Sequence, residues 1–528
     1  MKKTLLFVTV ALATILSSAA QIMSPDKKLR YAENIIERFY VDTVNSDKLT
    51  EEAIVAMLKT LDPHSLYSNA EETRELTEPL EGNFSGIGIQ FNMATDTLYI
   101  IQTVAGGPSE KVGILAGDRI LEANDTLISG VKMKNSDVMK RLRGPKGTRV
   151  KVKVLRKGVE EPIIFNITRD DIPIYSVDAA YMASPEVGYI RVNKFAETTT
   201  REMIEAIDKL QKKGMKHLII DLMDNGGGFL NAATNMADMV LDPGKMLVFT
   251  RGDKVPYSEY RAEHESLLTP DSRVVVMVNQ YSASASEILS GAVQDNDRGV
   301  IVGRRTFGKG LVQRPFPFPD GSMIRLTVAR YYTPSGRCIQ KSYESGQDDY
   351  SKDILHRIKS GELSSADSIH VDLSQKFTTL TNGRTVYGGG GIIPDVFVPV
   401  DTTFYSDYYR DLLAKGAVNR LCIDYVDHNR KALRKAYKNE DSFISDFEVT
   451  DDILNQLRAI GEREGVEFNE EQYRTSLPWI KSVIKAIIGR DLFEQSTYFR
   501  IVNPMTPEYR EALDVITDAD RYNSLLRP

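Results

Sequence analysis

Apolar positions change their spacing along the chain, and each change predicts a different kind of element. Over 25–80, Leu29, Ile35, Ile36, Phe39 and Tyr40 recur at helical spacing, and Ala53, Ile54, Met57, Leu58 and Leu61 do so again. Pro63 ends the second helix within Leu61-Asp62-Pro63-His64-Ser65, which makes His64 a turn residue. Between 82 and 170 the pattern turns to short β-type runs at 86–91, 97–104, 149–155 and 162–168. Glycine and proline separate them, with short helical stretches at 109–112 and 136–142. From 174 to about 399, Val/Ile-rich strands (187–192, 217–222, 274–278, 299–303) alternate with helices at 200–213, 232–240 and 284–296. Val274-Val275-Val276-Met277-Val278 does not alternate, as suits a strand covered on both faces of a parallel sheet. Residues 341–386 are polar and weakly periodic, and read as a long, mobile surface insertion. From about 401 onward amphipathic helices dominate, for example 453–460 and 479–488.

The expected fold is multidomain α/β: an α/β core containing a parallel sheet, a small β-rich module, and helical regions before and after. The divisions are 1–20, 21–81, 82–171, 172–400 (insertion about 341–387) and 401–528. Residues 1–20 lie apart from the fold. Lys2 and Lys3, an apolar run over 5–16, and Ser18-Ala19-Ala20 have the layout of a signal peptide cleaved after Ala20, which predicts export to the periplasm or secretion.

Composition narrows the chemistry. The net charge of −6 offers no basic excess to displace counterions, which argues against a nucleic-acid partner. Two cysteines, Cys338 and Cys422, cannot make a disulfide framework or a cysteine zinc site, and whether they pair is not set by spacing. Six histidines without HxH or HxxxH spacing disfavour a metal centre, and no cofactor is called for.

The chemistry-bearing candidates then lie in three segments. Ser282-Ala283-Ser284-Ala285-Ser286-Glu287 sits between a buried strand and a helix, where a serine hydroxyl can face the cleft at the carboxyl ends of the strands. Unpaired amides of the first helical turn would stabilise an oxyanion there; the same residues also read as a capping box, Ser284 with Glu287. No GxSxG elbow exists, so a lysine kept neutral by burial is the alternative base. Thr306-Phe307-Gly308-Lys309-Gly310, after the next strand, supplies one, and Gln313 lies four residues on. The spacing Gly303…Gly308-Lys309 approaches a phosphate-binding loop. Gly310 replaces the required hydroxyl, however, and Arg314-Pro315-Phe316-Pro317-Phe318-Pro319 cannot form the helix that loop needs. Asp221-Leu222-Met223-Asp224-Asn225-Gly226-Gly227-Gly228 exposes backbone N–H groups, as an oxyanion hole requires. Asp295 is about three helical turns from Ser284, too far to touch it, and reads as structural.

Taken in order, these segments resemble the carboxyl-terminal processing (tail-specific) proteases, serine peptidases with a Ser–Lys dyad and a PDZ domain. The Gly86-Ile87-Gly88-Ile89 run and Gly389-Gly390-Gly391-Ile392-Ile393-Pro394-Asp395 add to the match. The resemblance implies Ser284 as nucleophile, Lys309 as general base and Gln313 as its orienting partner. It further implies that the amides of Ala285 and of Gly227, or a neighbouring glycine, form the oxyanion hole. The amides of Gly86, Ile87, Gly88 and Ile89 would receive a substrate's C-terminal carboxylate. The implied partners are proteins or peptides with accessible C-terminal tails, with the helices beyond 401 free to dimerise, dock an adaptor or pack as a lid. The rival reading is a non-catalytic, PDZ-containing scaffold whose peptidase core is vestigial. The glycine run departs from the family's commoner Arg-Asn-Asn-Pro-Gly-Gly, which leaves the choice of oxyanion amide open.

Overall fold

A computed structural model describes residues 23–93 and 96–528. The expected signal peptide therefore lies outside the described residues. The described residues divide into two compact units, one ending at Tyr67 and one running from Ser68 to Pro528. In the first, the expected helices are Pro25–Phe39 and Ser46–Lys59. The turn after them is tied by Asp62, whose carboxylate accepts from the N–H groups of His64 (2.8 Å) and Ser65 (2.9 Å).

The second unit is built around a six-stranded sheet. From one edge it runs Val177–Met182, Val187–Val192, His217–Asp221, Val274–Val278, Val300–Gly303 and Val396–Phe397, parallel after the first pair. Its apolar strands are buried on both faces, as the unbroken Val274–Val278 run requires. Helices Thr199–Gln211, Leu230–Asp238 and Ala285–Asp295 cover one face, on Ile190, Leu218, Ile220, Val274, Val276 and Ile301. The alternate residues Tyr189, Ile219, Val275 and Met277 face the other way. There they meet Tyr509, Ala512, Val515, Ile516 and Tyr522 of the last helices, Pro507–Thr517 and Ala519–Leu525. The end of the helical tail is thus the second covering layer of the α/β core, a role its amphipathic pattern could not assign. A buried ion pair, Arg304–Glu508 at 2.6 Å, fastens it.

Four further strands, Met246–Arg251, Ser258–Arg261, Leu311–Pro317 and Met323–Tyr332, form antiparallel pairs beside the core. The remaining tail helices, from Asp407–Ala414 to Glu470–Leu492, surround their own core of Leu421, Cys422, Val426, Phe443, Leu457 and Ile484. Cys338 and Cys422 are not bonded to one another.

The small module is an antiparallel sheet in the order Ile89–Asn92, Leu98–Thr103, Arg119–Ala123, Arg149–Leu155 and Ile163–Thr168, with helix Asn135–Leu142 beside it. The run expected at 86–91 is two strands, because Gly88 turns the chain at φ +72°. Entry and exit are clamped together where Asn83–Gly86 pairs with Asp170–Pro173.

The polar stretch 341–387 carries secondary structure and is tied to the core. It holds helices Gln347–Ser351 and Asp353–Lys359 and a small hairpin, Lys376–Thr378 with Thr385–Tyr387. Several of its charged residues are inside: Lys341, Arg357 and Glu362 are all buried. Charged side chains can be buried when they are paired. Here Arg357 pairs with Asp353 (2.9 Å), Lys341 with Asp353 (2.9 Å), and Glu362 with Arg305 of the core (2.5 Å).

Candidate active site

Three loops meet at the carboxyl ends of the parallel strands: the glycine run after His217–Asp221, the serine turn after Val274–Val278, and the lysine loop after Val300–Gly303. The lysine loop leads on into Leu311–Pro317, so it links the parallel sheet to the antiparallel one. Its departure needs a glycine. At Gly303 φ is +130°, and a Cβ would come within 1.9 Å of the Val278 carbonyl oxygen.

The serine turn separates its three serines by environment. Ser282 is fully buried and donates to the Leu222 carbonyl at 2.8 Å; Ser286 is fully buried and donates to the Asn225 carbonyl at 2.8 Å. Ser284 alone of the three is part-exposed, between buried Ala283 and Ala285. Its backbone lies at φ +57°, ψ −111°, a conformation that costs a non-glycine residue about 1–3 kcal/mol. Lys309 is set in the same way, part-exposed between buried Gly308 and Gly310.

One carboxylate joins the two loops. Glu287 is fully buried, and its Oε2 accepts from the backbone N–H of Ser284 (2.8 Å) and of Lys309 (2.9 Å). Sharing that oxygen holds the two nitrogens within about 6 Å of each other. Its Oε1 accepts from Gly308 N–H (2.7 Å) and from the Thr306 hydroxyl (2.5 Å). Burial pushes the Glu287 carboxyl above its ordinary range, against the pull of these four donors. Glu287 therefore does more than cap its helix: it ties the serine turn to the lysine loop. A second tie is Tyr331, from the antiparallel sheet. Its hydroxyl reaches the carbonyls of Ser284 (3.1 Å) and Lys309, and burial raises its pKa so far that it stays a donor. Nothing in the sequence around Tyr331 signals this: Ile324, Leu326 and Val328 alternate with polar residues as in many strands, and such a period says nothing of what one hydroxyl meets.

The glycine run is stitched in through Asn225. Its carbonyl accepts from Ala283 N–H (3.0 Å), and its Nδ2 donates to the Val192 carbonyl (2.8 Å). Gly227 N–H donates to Asn225 Oδ1 at 2.8 Å, so this amide already has an acceptor. Gly227 itself lies against the serine turn: a Cβ there would stand 2.8 Å from Ser284 Cβ and 3.0 Å from Ala285 N. Ala285 opens its helix, where an N–H lacks an intrahelical acceptor. Gln313, in the strand after the lysine loop, donates to Thr327 Oγ1 at 3.3 Å. Asp295 is bonded to Arg337 at 2.6 Å in a fully buried pair, the structural role its distance from Ser284 implies.

The insertion grips the lysine loop from outside. Arg357 donates to the carbonyls of Thr306 (2.8 Å) and Phe307 (3.2 Å), and Lys341 N–H donates to the Gly308 carbonyl (3.0 Å). The Lys341 ammonium lies 3.8 Å from the Phe307 ring centroid and 4.2 Å from that of Tyr350.

The small module presents a groove between Ile89–Asn92 and helix Asn135–Leu142, with Ile87 and Gly88 at one end. The carbonyls of Ile87 and Gly88 are held from behind by Ser109 and by Val104 N–H.

Residues 186–348 match Peptidase family S41, and 85–166 match the PDZ domain. A protein of Bartonella bacilliformis named carboxy-terminal-processing protease is 36% identical over 60% of this chain and 73% of its own. The chain belongs to the carboxyl-terminal processing proteases of peptidase family S41. The carboxy-terminal processing protease CtpA of Bacillus subtilis is 35% identical over 60% of this chain and 66% of its own length. Among solved structures, a photosystem II D1 C-terminal processing protease is 31% identical, with a TM-score of 0.34, over 59% of this chain and 89% of its own. Residues 12–73 match the N-terminal domain of the activating protease CtpB, and 408–494 match a family of unknown function. The S41 match ends before most of the 341–387 insertion, so the grip on the lysine loop comes largely from beyond the matched segment.

Proposed function

We propose that the chain is an exported serine endopeptidase that holds the C-terminal tail of a protein substrate in its PDZ domain and cuts with a Ser284–Lys309 dyad. The observation that carries this reading is the Glu287 carboxylate, which binds the backbones of Ser284 and Lys309 to one oxygen. Lys309, uncharged, takes the proton from Ser284 Oγ as that oxygen bonds to the scissile carbonyl carbon. The carbonyl oxygen becomes an oxyanion and accepts from Ala285 N–H and from an amide of the 226–228 glycines. As the tetrahedral species collapses, the C–N bond breaks and Lys309 returns the proton to the leaving amine. Water, deprotonated by the same lysine, then releases the acyl group from Ser284. Gln313 orients the lysine from the adjoining strand, and the amides at 86–89 receive the substrate's terminal carboxylate. The signal-peptide layout of residues 1–20 supports export.

The test is incubation with an unstructured polypeptide bearing an apolar C-terminus. Fragments are expected from the wild type and none from Ser284→Ala or Lys309→Ala, with peptide binding retained. Cleavage by Ser284→Ala at the wild-type rate would end the assignment.

A further inference from the structure

The groove of the PDZ domain has a wall that its own fold does not supply. Besides Ile87–Asn92 and the helix residues Asn135, Met139, Leu142 and Arg143, it is lined by Asn419, Arg490 and Gln495 of the helical tail. The two regions are joined by specific contacts. Arg119 pairs with Asp427 of the tail at 2.9 Å, and Asp427 is almost wholly buried. Arg430 donates to the carbonyl of Asp491 at 3.0 Å and reaches the carbonyl of Ile101, in the strand next to the groove, at 3.4 Å. A Cβ on Gly117 would lie 3.5 Å from Asp427, which shows how closely the surfaces approach. The end of helix Glu470–Leu492 is held as well, by Arg434 on the Leu492 carbonyl at 2.9 Å. Arg490 is therefore presented to the groove from a fixed backbone. Its guanidinium keeps 29% of its side-chain surface exposed while bonded to Asp491 at 2.9 Å.

The charge of the lining is one-sided. Among the described residues that line the groove, Arg143 and Arg490 are cationic and none is acidic. Arg143 is the one near the carboxylate-receiving end, since its Cγ would stand 3.7 Å from a Cβ on Gly86. It is already paired with Glu78 at 2.6 Å. Each arginine has a carboxylate of the protein beside it, yet Arg490 keeps part of its side chain open at the groove, where it can donate to an anion on the ligand as well.

We propose that the helical tail forms a third wall of the peptide groove, and that Arg490 selects C-terminal tails with an acidic side chain in the residues just before the terminus. This rests on reading the groove as the C-terminal-tail site, and assigns a specificity role to part of the 408–494 segment. Asn419 and Gln495 complete the wall as neutral hydrogen-bonding groups.

The experiment measures binding of fluorescein-labelled decapeptides to the full-length Ser284→Ala protein by polarisation. The peptides end in an apolar residue and carry Asp, Ala or Lys at each of the preceding positions in turn. At the best position, the Asp peptide should bind about tenfold more tightly than the Lys peptide, the scale of one charge-assisted contact. Arg490→Gln should bring the ratio near one, and Arg490→Lys should keep most of it. Asn419→Asp, which puts a negative charge in the same wall, should lower the ratio without touching Arg490. An unchanged Asp/Lys ratio in Arg490→Gln and in Asn419→Asp would overturn the role of the tail. Equal binding of the free-acid and C-terminally amidated peptides would instead overturn the groove reading beneath it.

Discussion

Replacing Glu287 by glutamine tests the tie between the serine turn and the lysine loop with the smallest change of shape. In the native protein both carboxylate oxygens accept two donors each: Ser284 and Lys309 N–H on one, Gly308 N–H and the Thr306 hydroxyl on the other. An amide keeps one oxygen and turns the other into NH2, so whichever way it is placed, two donors face a donor. Each buried donor left without an acceptor costs about 1–3 kcal/mol, or about 2–6 kcal/mol for the pair. Removing the buried charge returns part of that, because burial is what raises the carboxyl's pKa. The expected loss of stability is then about 1–4 kcal/mol, read as a fall in the urea midpoint at unchanged slope. The loss of turnover should exceed what stability explains. Ser284 at φ +57° is strained by about 1–3 kcal/mol and, without its N–H anchor, can relax and carry Oγ away from the lysine loop. Turnover of an unstructured polypeptide and labelling of Ser284 by a serine-reactive probe should both fall by at least about a hundredfold in folded Glu287→Gln protein. A Glu287→Gln enzyme with the wild-type midpoint and the wild-type turnover would refute this reasoning.

Other outcomes follow from the same geometry. Gly227→Ala should abolish cleavage in a protein that still folds, because the new Cβ would enter the 2.8 Å gap to Ser284 Cβ, at a residue whose φ is +104°; circular dichroism with the turnover assay checks both halves. Arg357→Ala should lower turnover while leaving peptide binding in the PDZ groove unchanged, since the lysine loop loses its donors at the Thr306 and Phe307 carbonyls. Equal turnover would show the insertion to be uninvolved. With burial raising Glu287 above its usual value, the native state holds that proton more tightly than the unfolded chain does. Its contribution to stability therefore falls as pH rises from about 4.5 through the native pKa, and the stability gap between wild type and Glu287→Gln should narrow over that interval. Truncation after Met505 should give insoluble protein: burying Tyr509, Val515, Ile516 and Tyr522 contributes on the order of 6–12 kcal/mol, and their removal bares the sheet face they cover. A soluble, active truncate would contradict that.

What was legible in the sequence was whatever hydrophobic patterning or a local motif records. The unbroken run Val274–Val278 announces a strand buried on both faces, and the serine and lysine segments stand at the ends of such strands. Period and spacing alone could not choose among Ser282, Ser284 and Ser286, which differ only in what surrounds them once folded. Leu311–Pro317 carries Pro315 and Pro317 and so lacked a strand signature, although proline is tolerated at an edge. The insertion read as mobile because its residues are polar, yet Arg357 and Glu362 are buried through pairing, which leaves no apolar period. Tyr331 was invisible for a related reason: its value lies in one hydroxyl meeting two carbonyls from distant segments.

The last helices have a consequence for how the enzyme comes into being. Tyr522 hydroxyl bonds the backbone of Val274 across 248 residues of sequence, and the helix before it covers the face formed by Tyr189, Ile219, Val275 and Met277. Contacts of such separation are slow to form, because the loop entropy must be met before they contribute. The sheet that carries the serine and lysine loops is therefore half uncovered until residues 507–525 have packed on it, so the last stretch of the chain completes the fold of a segment that begins far earlier in the sequence.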